Sequence, residues 1–235
     1  MEGSIMLSVC AMSDLHGYLP EVEPCELVLI CGDIVPLSAQ GSSRYTSRWY
    51  KRAFKTWAES LPCDKVIFIA GNHELHFPNH YEYYKKMFPN NSKVTYLCHE
   101  EYIYKGPDGK EYSIFGTPYC KEFGNWAFML PDPELEERYS EIPENLDILI
   151  THDQPYGYGD VLLQKDCPWA NGKHIGNKML MEVIAKKKPR YQLNGHLHSC
   201  NHNIIDIDGT IHYNVSLKDE SYQPVYEPLY LEIDK

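Results

Sequence analysis

Short apolar runs alternate along the chain with amphipathic stretches, and the two patterns predict different elements. Five runs are apolar and end in a polar or glycine-containing turn, which is typical of buried β-strands. These predicted strands are residues 5–12, 27–31, 65–70, 147–151 and 191–194. Residues 44–60 predict a helix, because Trp49, Ala53 and Trp57 recur at helical spacing and would pack on the core.

Two more helices and two hairpins complete the pattern. Residues 133–139 and 174–187 are predicted to be helical, with Pro133 in a first turn and Pro189 after a last turn. Hairpins are predicted over residues 101–115 and 203–214, the second around an Asp208-Gly209 dipeptide suited to a type I′ turn. The strand–helix alternation indicates an α/β fold. The hairpins add a second, mixed or antiparallel sheet packed on the first, with helices outside.

Composition narrows the class of protein. The 235 residues have a formal net charge of −11, whereas a general nucleic-acid-binding protein presents a basic patch. The densest basic run, residues 186–190, falls at the end of a predicted helix, where cations interact favourably with the helix dipole. No apolar run approaches the roughly 20 residues that cross a bilayer, and we expect no membrane association and no cleavable signal peptide.

The cysteines and the lack of internal divisions add two expectations. The eight cysteines form no C-x-x-C pair, which argues against a structural zinc module and a disulfide scaffold. We therefore expect reduced thiols and a cytoplasmic location. No repeat or long linker divides the chain, so residues 1–235 are predicted to form a single domain.

Polar motifs directly follow the predicted strands at five places. They are Asp14-Leu15-His16, Gly32-Asp33, Gly71-Asn72-His73-Glu74, Thr151-His152 and Gly195-His196-Leu197-His198. Ligands of open α/β sheets bind beyond the carboxyl ends of the strands, so all five motifs can converge on one crevice. Residues two apart in an extended chain point the same way, so His196 and His198 would present two donors to one point. The glycines permit the tight turns that this requires.

The donor types point to transition metals. Seven side chains offer carboxylate, amide or imidazole donors: Asp14, His16, Asp33, Asn72, His152, His196 and His198. Such a mixed oxygen and nitrogen set suits Mn²⁺, Fe²⁺, Co²⁺, Ni²⁺ or Zn²⁺ better than Ca²⁺. Seven ligands exceed the need of one four-coordinate ion but fit two ions that share a carboxylate. Two such ions can clamp the attacking and leaving oxygens of an in-line displacement.

In this order the motifs resemble those of the calcineurin-like metallophosphoesterase superfamily, over residues 14–198. Residues 115–152 are similar to its small metallophosphoesterase-domain phosphodiesterases. The resemblance implies a four-layer α/β/β/α sandwich of two mixed sheets, of the metallo-dependent phosphatase type. It also implies a binuclear centre in which a metal-bridging hydroxide attacks phosphorus, with Mn²⁺ as the first expectation.

The family pattern assigns a role to each motif residue. One metal would be held by Asp14, His16, Asp33 and His198. The other would share Asp33 and be held by Asn72, His152 and His196. His73 would be catalytic rather than a ligand, and would hydrogen-bond the phosphoryl oxygen or protonate the leaving alkoxide. The histidines outside the motifs are predicted to be structural: His76, His80, His99, His174, His202 and His212.

Differences from related families narrow the expected metal and the expected substrate. Pro36 stands where purple acid phosphatases carry the tyrosine that holds ferric iron, so no ferric site is expected. Asp153, directly after His152, is expected to face solvent, the alternative being that it adds negative charge to the rim of the pocket. None of the five arginines lies beside a motif, and a monoester dianion usually gains from an arginine clamp. We therefore expect a small phosphodiester as the substrate.

Other interpretations stay open at this point. A non-catalytic scaffold on the same fold is the alternative function, although such scaffolds tend to lose the ligands that this chain retains. A repair-type nuclease is disfavoured, since the acidic charge would repel nucleic acid. A homo-oligomer is possible. Tyr156, Tyr158 and Trp169 would form either a substrate lid or ordinary surface packing.

Overall fold

A computed structural model describes residues 6–162, 172–200 and 202–234 of the chain. The described strands are, in chain order, β1 (Leu7–Met12), β2 (Leu27–Cys31), β3 (Lys65–Ile69), β4 (Val94–Tyr96), β5 (Glu100–Lys105), β6 (Glu111–Thr117), β7 (Cys120–Lys121), β8 (Met129–Leu130), β9 (Ile148–Thr151), β10 (Tyr191–Asn194), β11 (Ile205–Ile207), β12 (Thr210–Asn214) and β13 (Leu229–Ile233). The α-helices are α1 (Leu37–Gln40), α2 (Ser43–Trp49), α3 (Lys55–Ser60), α4 (Tyr81–Met87), α5 (Asp132–Ser140) and α6 (Lys178–Lys187). A π-helical segment, Tyr50–Phe54, joins α2 to α3, and a 3₁₀ turn, Pro78–His80, precedes α4.

These strands form two mixed sheets with parallel centres. The first sheet has the order β13-β1-β2-β3-β4, and only the β13–β1 pair is antiparallel. The second has the order β11-β12-β10-β9-β6-β5, with antiparallel pairs at its two edges. Because parallel strands present their carboxyl ends at one edge, each sheet places several strand ends together. Strands β7 and β8 form a separate small pair.

Three apolar cores separate four layers. Residues such as Leu29, Ile67 and Ile150 fill the space between the two sheets. On the outer face of the first sheet, Phe68 packs on aromatic side chains of the helical region. On the outer face of the second sheet, Leu149 packs with residues of α5 and α6. The predicted α/β/β/α sandwich of two mixed sheets is therefore confirmed.

The helix predicted over residues 44–60 differs in the face that it buries. It is continuous from Ser43 to Ser60 and includes the π-helical segment, but its buried stripe lies one position later along the chain than predicted. The fully buried residues are Tyr50, Phe54 and Ala58, one position after each predicted residue. Trp49 and Trp57 are only half-buried and pack on the margin of the core. The Tyr50 hydroxyl donates to buried Glu74 at 2.8 Å, which fixes this face inward.

The start of the helix predicted over residues 174–187 is wrong. Helix α6 begins at Lys178, because the Asn177 side chain caps it by accepting the N–H groups of Met179 and Leu180. Residue His174 lies before the helix and hydrogen-bonds Asp160.

The remaining element predictions agree within one or two residues. Helix α5 extends the predicted residues 133–139 by one residue at each end, and β1 begins at Leu7 rather than residue 5. Both hairpins form, and Asp208 and Gly209 have φ values of 53° and 86°, as a type I′ turn requires. No helix within the described residues combines the length and apolarity that a membrane span needs. The assignment of residues 1–235 to one domain stays a prediction.

Substitution of Phe68 tests the packing of the core on the outer face of the first sheet. Phe68 is fully buried, with the rings of Phe54 and Phe88 both 5.0 Å from its own. We expect Phe68→Ala to lower the free energy of unfolding by about 3–5 kcal/mol, measured by urea denaturation. The control Tyr45→Ala, at a side chain that is 60% exposed, should change it by less than about 0.5 kcal/mol. Equal losses in the two variants would contradict this packing.

Candidate metal centre

The carboxyl ends of five central strands bring together all seven predicted ligands. Asp14, Asp33 and Asn72 follow strands of the first sheet, and His152 and His196 follow strands of the second. Candidate ligand atoms lie within 4.8 Å of one another in three overlapping groups, which are Asp14, His16 and His198; His16, Asp33 and His73; and Asp33, His152 and His196. Asn72 joins them through its Oδ1, 2.9 Å from His152 Nε2.

Asp33 lies at the centre of this arrangement. Its Oδ2 is 3.3 Å from Nε2 of His152, 3.8 Å from Nε2 of His73 and 3.9 Å from Nε2 of His16. Its Oδ1 accepts the backbone N–H of His73 at 2.8 Å. One oxygen is thus committed to the backbone, and the other faces three imidazoles across gaps mostly too long for hydrogen bonds.

The imidazoles are oriented as metal ligands are. His152 Nδ1 donates to the carbonyl of Cys31 at 2.8 Å, and His198 Nδ1 donates to the carbonyl of Asp219 at 2.9 Å. Each bond directs the Nε2 atom into the site, as in histidines that hold metals. His16 is buried and neither of its ring nitrogens has a hydrogen-bond partner. A buried nitrogen without a partner is costly, so the donor set fits a cation that would satisfy it.

The charge balance of the site favours cations. Burial would raise the pKa values of Asp14 and Asp33, but the surrounding imidazoles hold both well below their usual range. Burial would lower the pKa values of His152 and His198, but Asp33 raises that of His152 to about 10 and Asp14 raises that of His198 to about 9. The two buried carboxylates therefore stabilise positive charge beside them. A divalent cation bound at the site would be stabilised by the same carboxylates.

The backbone is strained at four of the candidate ligands. Asp14, His16, Asp33 and His196 have φ values of 54°, 41°, 51° and 73°, in the left-handed region that few residues other than glycine adopt. Such strain costs about 1–3 kcal/mol per residue and concentrates at functional sites.

Glycines allow the chain to approach the carboxylates closely. A Cβ atom at Gly71 would lie 2.2 Å from Asp33 Oδ1, and one at Gly195 would lie 2.2 Å from Asp14 Oδ2. Gly32 has a φ of +99°, which any other residue adopts only with strain. The predicted tight turn is thus observed at Gly32, whereas Gly71 and Gly195 allow close approach to the carboxylates.

Glu74 connects the loops that carry the candidate ligands. Its carboxylate is fully buried and accepts the N–H groups of Asp33, Ile34, Val35 and Gly71. Burial, together with nearby Asp33, raises its pKa to about 7. Glu74 thus holds the loops after β2 and β3 together from beneath, without facing the metal site.

His73 is held by a residue that the sequence analysis missed. Its Nδ1 donates to Oε1 of Gln40, in helix α1, and its ring lies 4.6 Å from the ring of Trp126. This bond leaves Nε2 facing Asp33. Gln40 lies seven residues after Asp33 in a short helix, and nothing in its sequence neighbourhood marks it.

A cavity of about 820 Å³ opens over the site. It is lined by Asp33, Asn72, His73, His196 and His198, together with aromatic side chains. The cations among its described lining residues are lysines, Lys121 and Lys178, and none is an arginine.

The three aromatic residues considered as a lid have different positions. Tyr156 lines the cavity, whereas Tyr158 is buried against the ring of His212 at 3.9 Å. Trp169 lies outside the described residues.

The expectation that Asp153 faces solvent is wrong. Asp153 is only 5% exposed and lines the cavity over the site, as in the alternative. It accepts hydrogen bonds from Lys121 N and Asn177 Nδ2, which tie β7 to the start of α6. His174, predicted to be structural, also lines the cavity and pairs with buried Asp160 at 2.6 Å.

Comparisons with known proteins agree with this geometry. The family model described as calcineurin-like phosphoesterase matches residues 7–200. Metallophosphoesterase domain-containing protein 1 of Homo sapiens is 30% identical over 249 residues, which cover 96% of this chain and 70% of that protein. The UPF0046 protein C25E10.12 of Caenorhabditis elegans is 26% identical, over 93% of this chain and 76% of its own.

Solved structures share the fold at low sequence identity. The phosphopantetheinyl hydrolase of Mycobacterium tuberculosis superposes with a TM-score of 0.57 at 15% identity, over 98% of this chain and 96% of its own. The protein TT1561 of Thermus thermophilus gives a TM-score of 0.57 at 13% identity, over 89% of this chain and 88% of its own.

Gly195 tests whether close backbone approach builds the site. We expect Gly195→Ala to weaken Mn²⁺ binding at least tenfold, because the added methyl group would overlap Ser13 Oγ and Asp14 Oδ2 and displace both side chains. Isothermal titration calorimetry on the folded variant would measure this. The matched control is Gly41→Ala, since a Cβ atom at Gly41 meets nothing within 4 Å. Unchanged Mn²⁺ affinity in Gly195→Ala would contradict the assigned role.

Proposed function

We propose that this chain, which belongs to the calcineurin-like phosphoesterase family, hydrolyses small phosphodiesters at a site for two divalent cations. The observation that carries the proposal is that Asp33 belongs to two of the three groups of candidate ligands, one with His152 and His196 and one with His16 and His73. Its Oδ2 faces His16, which also belongs to the group of Asp14 and His198, at 3.9 Å. A carboxylate in this position can serve two cations at once.

The donors divide between the two cations. Asp14, His16 and His198 would hold one, and Asn72, His152 and His196 would hold the other, with Asp33 shared between them. His16 without any hydrogen-bond partner supports the first group, and Asn72 Oδ1 beside His152 Nε2 supports the second. This mixed set of oxygen and imidazole donors suits Mn²⁺, Fe²⁺, Co²⁺, Ni²⁺ or Zn²⁺. We propose Mn²⁺, the first expectation from the family resemblance, as the native ion.

The residues of the chain prepare the site for in-line displacement. When bound, the cations would neutralise the phosphoryl oxygens and make hydroxide available near neutral pH. His73, anchored through Nδ1 to Gln40, presents Nε2 towards Asp33 and the cavity, where it can hold a proton for a phosphoryl oxygen or a leaving alkoxide. The indole of Trp126 against the His73 ring restricts its rotation.

The charge of the metal site itself supports a diester substrate. Two divalent cations against Asp14, Asp33 and a hydroxide leave a net charge of about +1, which matches a diester monoanion. The described lining lacks the arginine that would clamp a monoester dianion.

We also propose a reducing, cytoplasmic location. None of the seven cysteines within the described residues is disulfide-bonded.

The diester preference is tested on a matched pair of substrates. With Mn²⁺ at saturation, we expect kcat/KM for bis(p-nitrophenyl) phosphate to exceed that for p-nitrophenyl phosphate at least tenfold, because the described lining offers no arginine to clamp the second negative charge. Both reactions release the same chromophore, so a single absorbance assay measures them. Faster cleavage of the monoester would overturn the diester assignment.

Asp33→Asn and His73→Asn separate metal binding from catalysis. Asp33→Asn should lose at least one Mn²⁺ per chain and nearly all activity, because the shared charge is removed. His73→Asn should retain Mn²⁺ while kcat falls by about 10²–10⁴-fold. Metal analysis by plasma mass spectrometry, paired with the diesterase assay, measures both. A His73→Asn variant with wild-type kcat would contradict its role, and a wild type that binds Mn²⁺ but cleaves no ester would favour a scaffold.

Gln40 should act through His73. We expect Gln40→Ala to lower kcat about tenfold with unchanged Mn²⁺ content, since the His73 ring loses its anchor. Gln40→Glu keeps an acceptor at this position and should restore most of the activity. If Gln40→Ala has wild-type kcat, the hydrogen bond to His73 plays no part in turnover.

A further inference from the structure

Tyr222 lies at the mouth of the metal site, although it belongs to none of the motifs. Its ring contacts His16 edge to face, with centroids 4.9 Å apart, and His198 in the same manner at 5.4 Å. The ring of His73 is 6.4 Å away. Tyr222 also lines the cavity that opens over these histidines. It therefore stands where a group bound at the site would meet it.

The backbone of Tyr222 is in the left-handed region, with a φ of 59°. Its N–H donates to the carbonyl of Asp219 at 2.9 Å, as in a tight turn, and Asp219 N donates to the carbonyl of Gln223 at 3.0 Å. In such a loop the left-handed position normally holds glycine or asparagine. A bulky aromatic residue there is an outlier that marks strain.

Packing does not account for this strain. Tyr222 remains 36% exposed, so its ring gains only part of the hydrophobic stabilisation that full burial would give. A glycine would satisfy the same turn without strain. What the tyrosine adds at this position is its ring against His16 and His198 and a hydroxyl group at the cavity.

The loop is tied directly to the metal site. The Asp219 carboxylate accepts the N–H groups of Ser221 and Gln223, both at 2.9 Å, and so fixes the turn. The backbone carbonyl of Asp219 also accepts a hydrogen bond from Nδ1 of His198. Lys218 Nζ donates to the carbonyl of Tyr222 at 3.0 Å. These bonds hold Tyr222 and a candidate ligand in one rigid unit.

We propose that Tyr222 is a further catalytic residue, whose hydroxyl donates a hydrogen bond to a phosphoryl oxygen of the bound ester. This inference rests on the proposed phosphoesterase function. A tyrosine hydroxyl can donate as well as accept a hydrogen bond, and Tyr222 is part of the lining of the cavity over the candidate ligands. In a cavity whose described lining contains no arginine, a neutral donor at this position binds phosphoryl oxygens without attracting a second negative charge.

Three variants of the full chain separate the hydroxyl from the ring. Tyr222→Phe removes the hydroxyl alone, Tyr222→Gly removes the side chain and the strain, and Tyr226→Phe is the matched control in the same loop. The ring of Tyr226 stacks on His202 with centroids 3.6 Å apart. Each protein is loaded with Mn²⁺. Four properties are then measured: metal content, melting temperature, kcat/KM for bis(p-nitrophenyl) phosphate and the Kd of inorganic phosphate.

For Tyr222→Phe we expect full Mn²⁺ content, kcat/KM reduced about tenfold and a phosphate Kd raised about tenfold. Tyr222→Gly should be at least as impaired while melting at or above the wild-type temperature, because the turn is relaxed. Tyr226→Phe should match the wild type in all four properties.

Wild-type kcat/KM and phosphate Kd in Tyr222→Phe would overturn the proposal, and so would loss of Mn²⁺, which would make Tyr222 a ligand. A lower melting temperature in Tyr222→Gly would also count against it, since the tyrosine would then be explained by packing. If the wild type binds Mn²⁺ and phosphate but cleaves no ester, the phosphoesterase function fails. The phosphate Kd values then still decide whether the hydroxyl contacts phosphoryl oxygens.

Discussion

The carboxylate of Asp33 is the constraint on which the rest of the site depends. One oxygen accepts the N–H of His73, and the other faces the Nε2 atoms of His16, His73 and His152 at 3.3–3.9 Å. These imidazoles arrive from both sheets, so the carboxylate is buried where the two sheets meet. A buried negative charge needs compensation, and neighbouring imidazoles alone provide it only by taking up protons. Divalent cations would compensate it directly, which makes metal binding a consequence of how the sandwich closes.

The loops that carry the candidate ligands adopt strained backbone conformations around the Asp33 carboxylate. Left-handed backbone at Asp14, His16, Asp33 and His196 costs about 1–3 kcal/mol at each residue. The cost is met by the surrounding structure, above all by the buried Glu74 carboxylate, which binds four backbone N–H groups of the loops after β2 and β3. Tyr222 extends the same principle to the rim of the site, where a strained residue is held by hydrogen bonds rather than by burial.

The sequence was most informative where polar motifs directly follow predicted strands. Short apolar runs predicted the central strands to within two residues, since burial on both faces of a parallel sheet requires such runs. The motifs identified every member of the Asp/His cluster because each follows a strand directly. Gln40 and Tyr222 could not be found in this way, since tertiary packing alone brings α1 and the loop after β12 to the site. The solvent position expected for Asp153 failed for a related reason, because its partner Asn177 is 24 residues away. In the helix over residues 43–60, Trp49 and Trp57 lie at the margin of the buried face rather than at its centre, an offset of one position that helical spacing alone does not resolve.

The most direct test of this account is a crystal structure of the protein grown with Mn²⁺ and recorded at an X-ray energy where manganese scatters anomalously. We predict two anomalous peaks about 3.5–4 Å apart. Asp33 should lie between them, with Asp14, His16 and His198 around one peak and Asn72, His152 and His196 around the other. A single peak, or peaks placed away from Asp33, would contradict the claim that this carboxylate serves two cations.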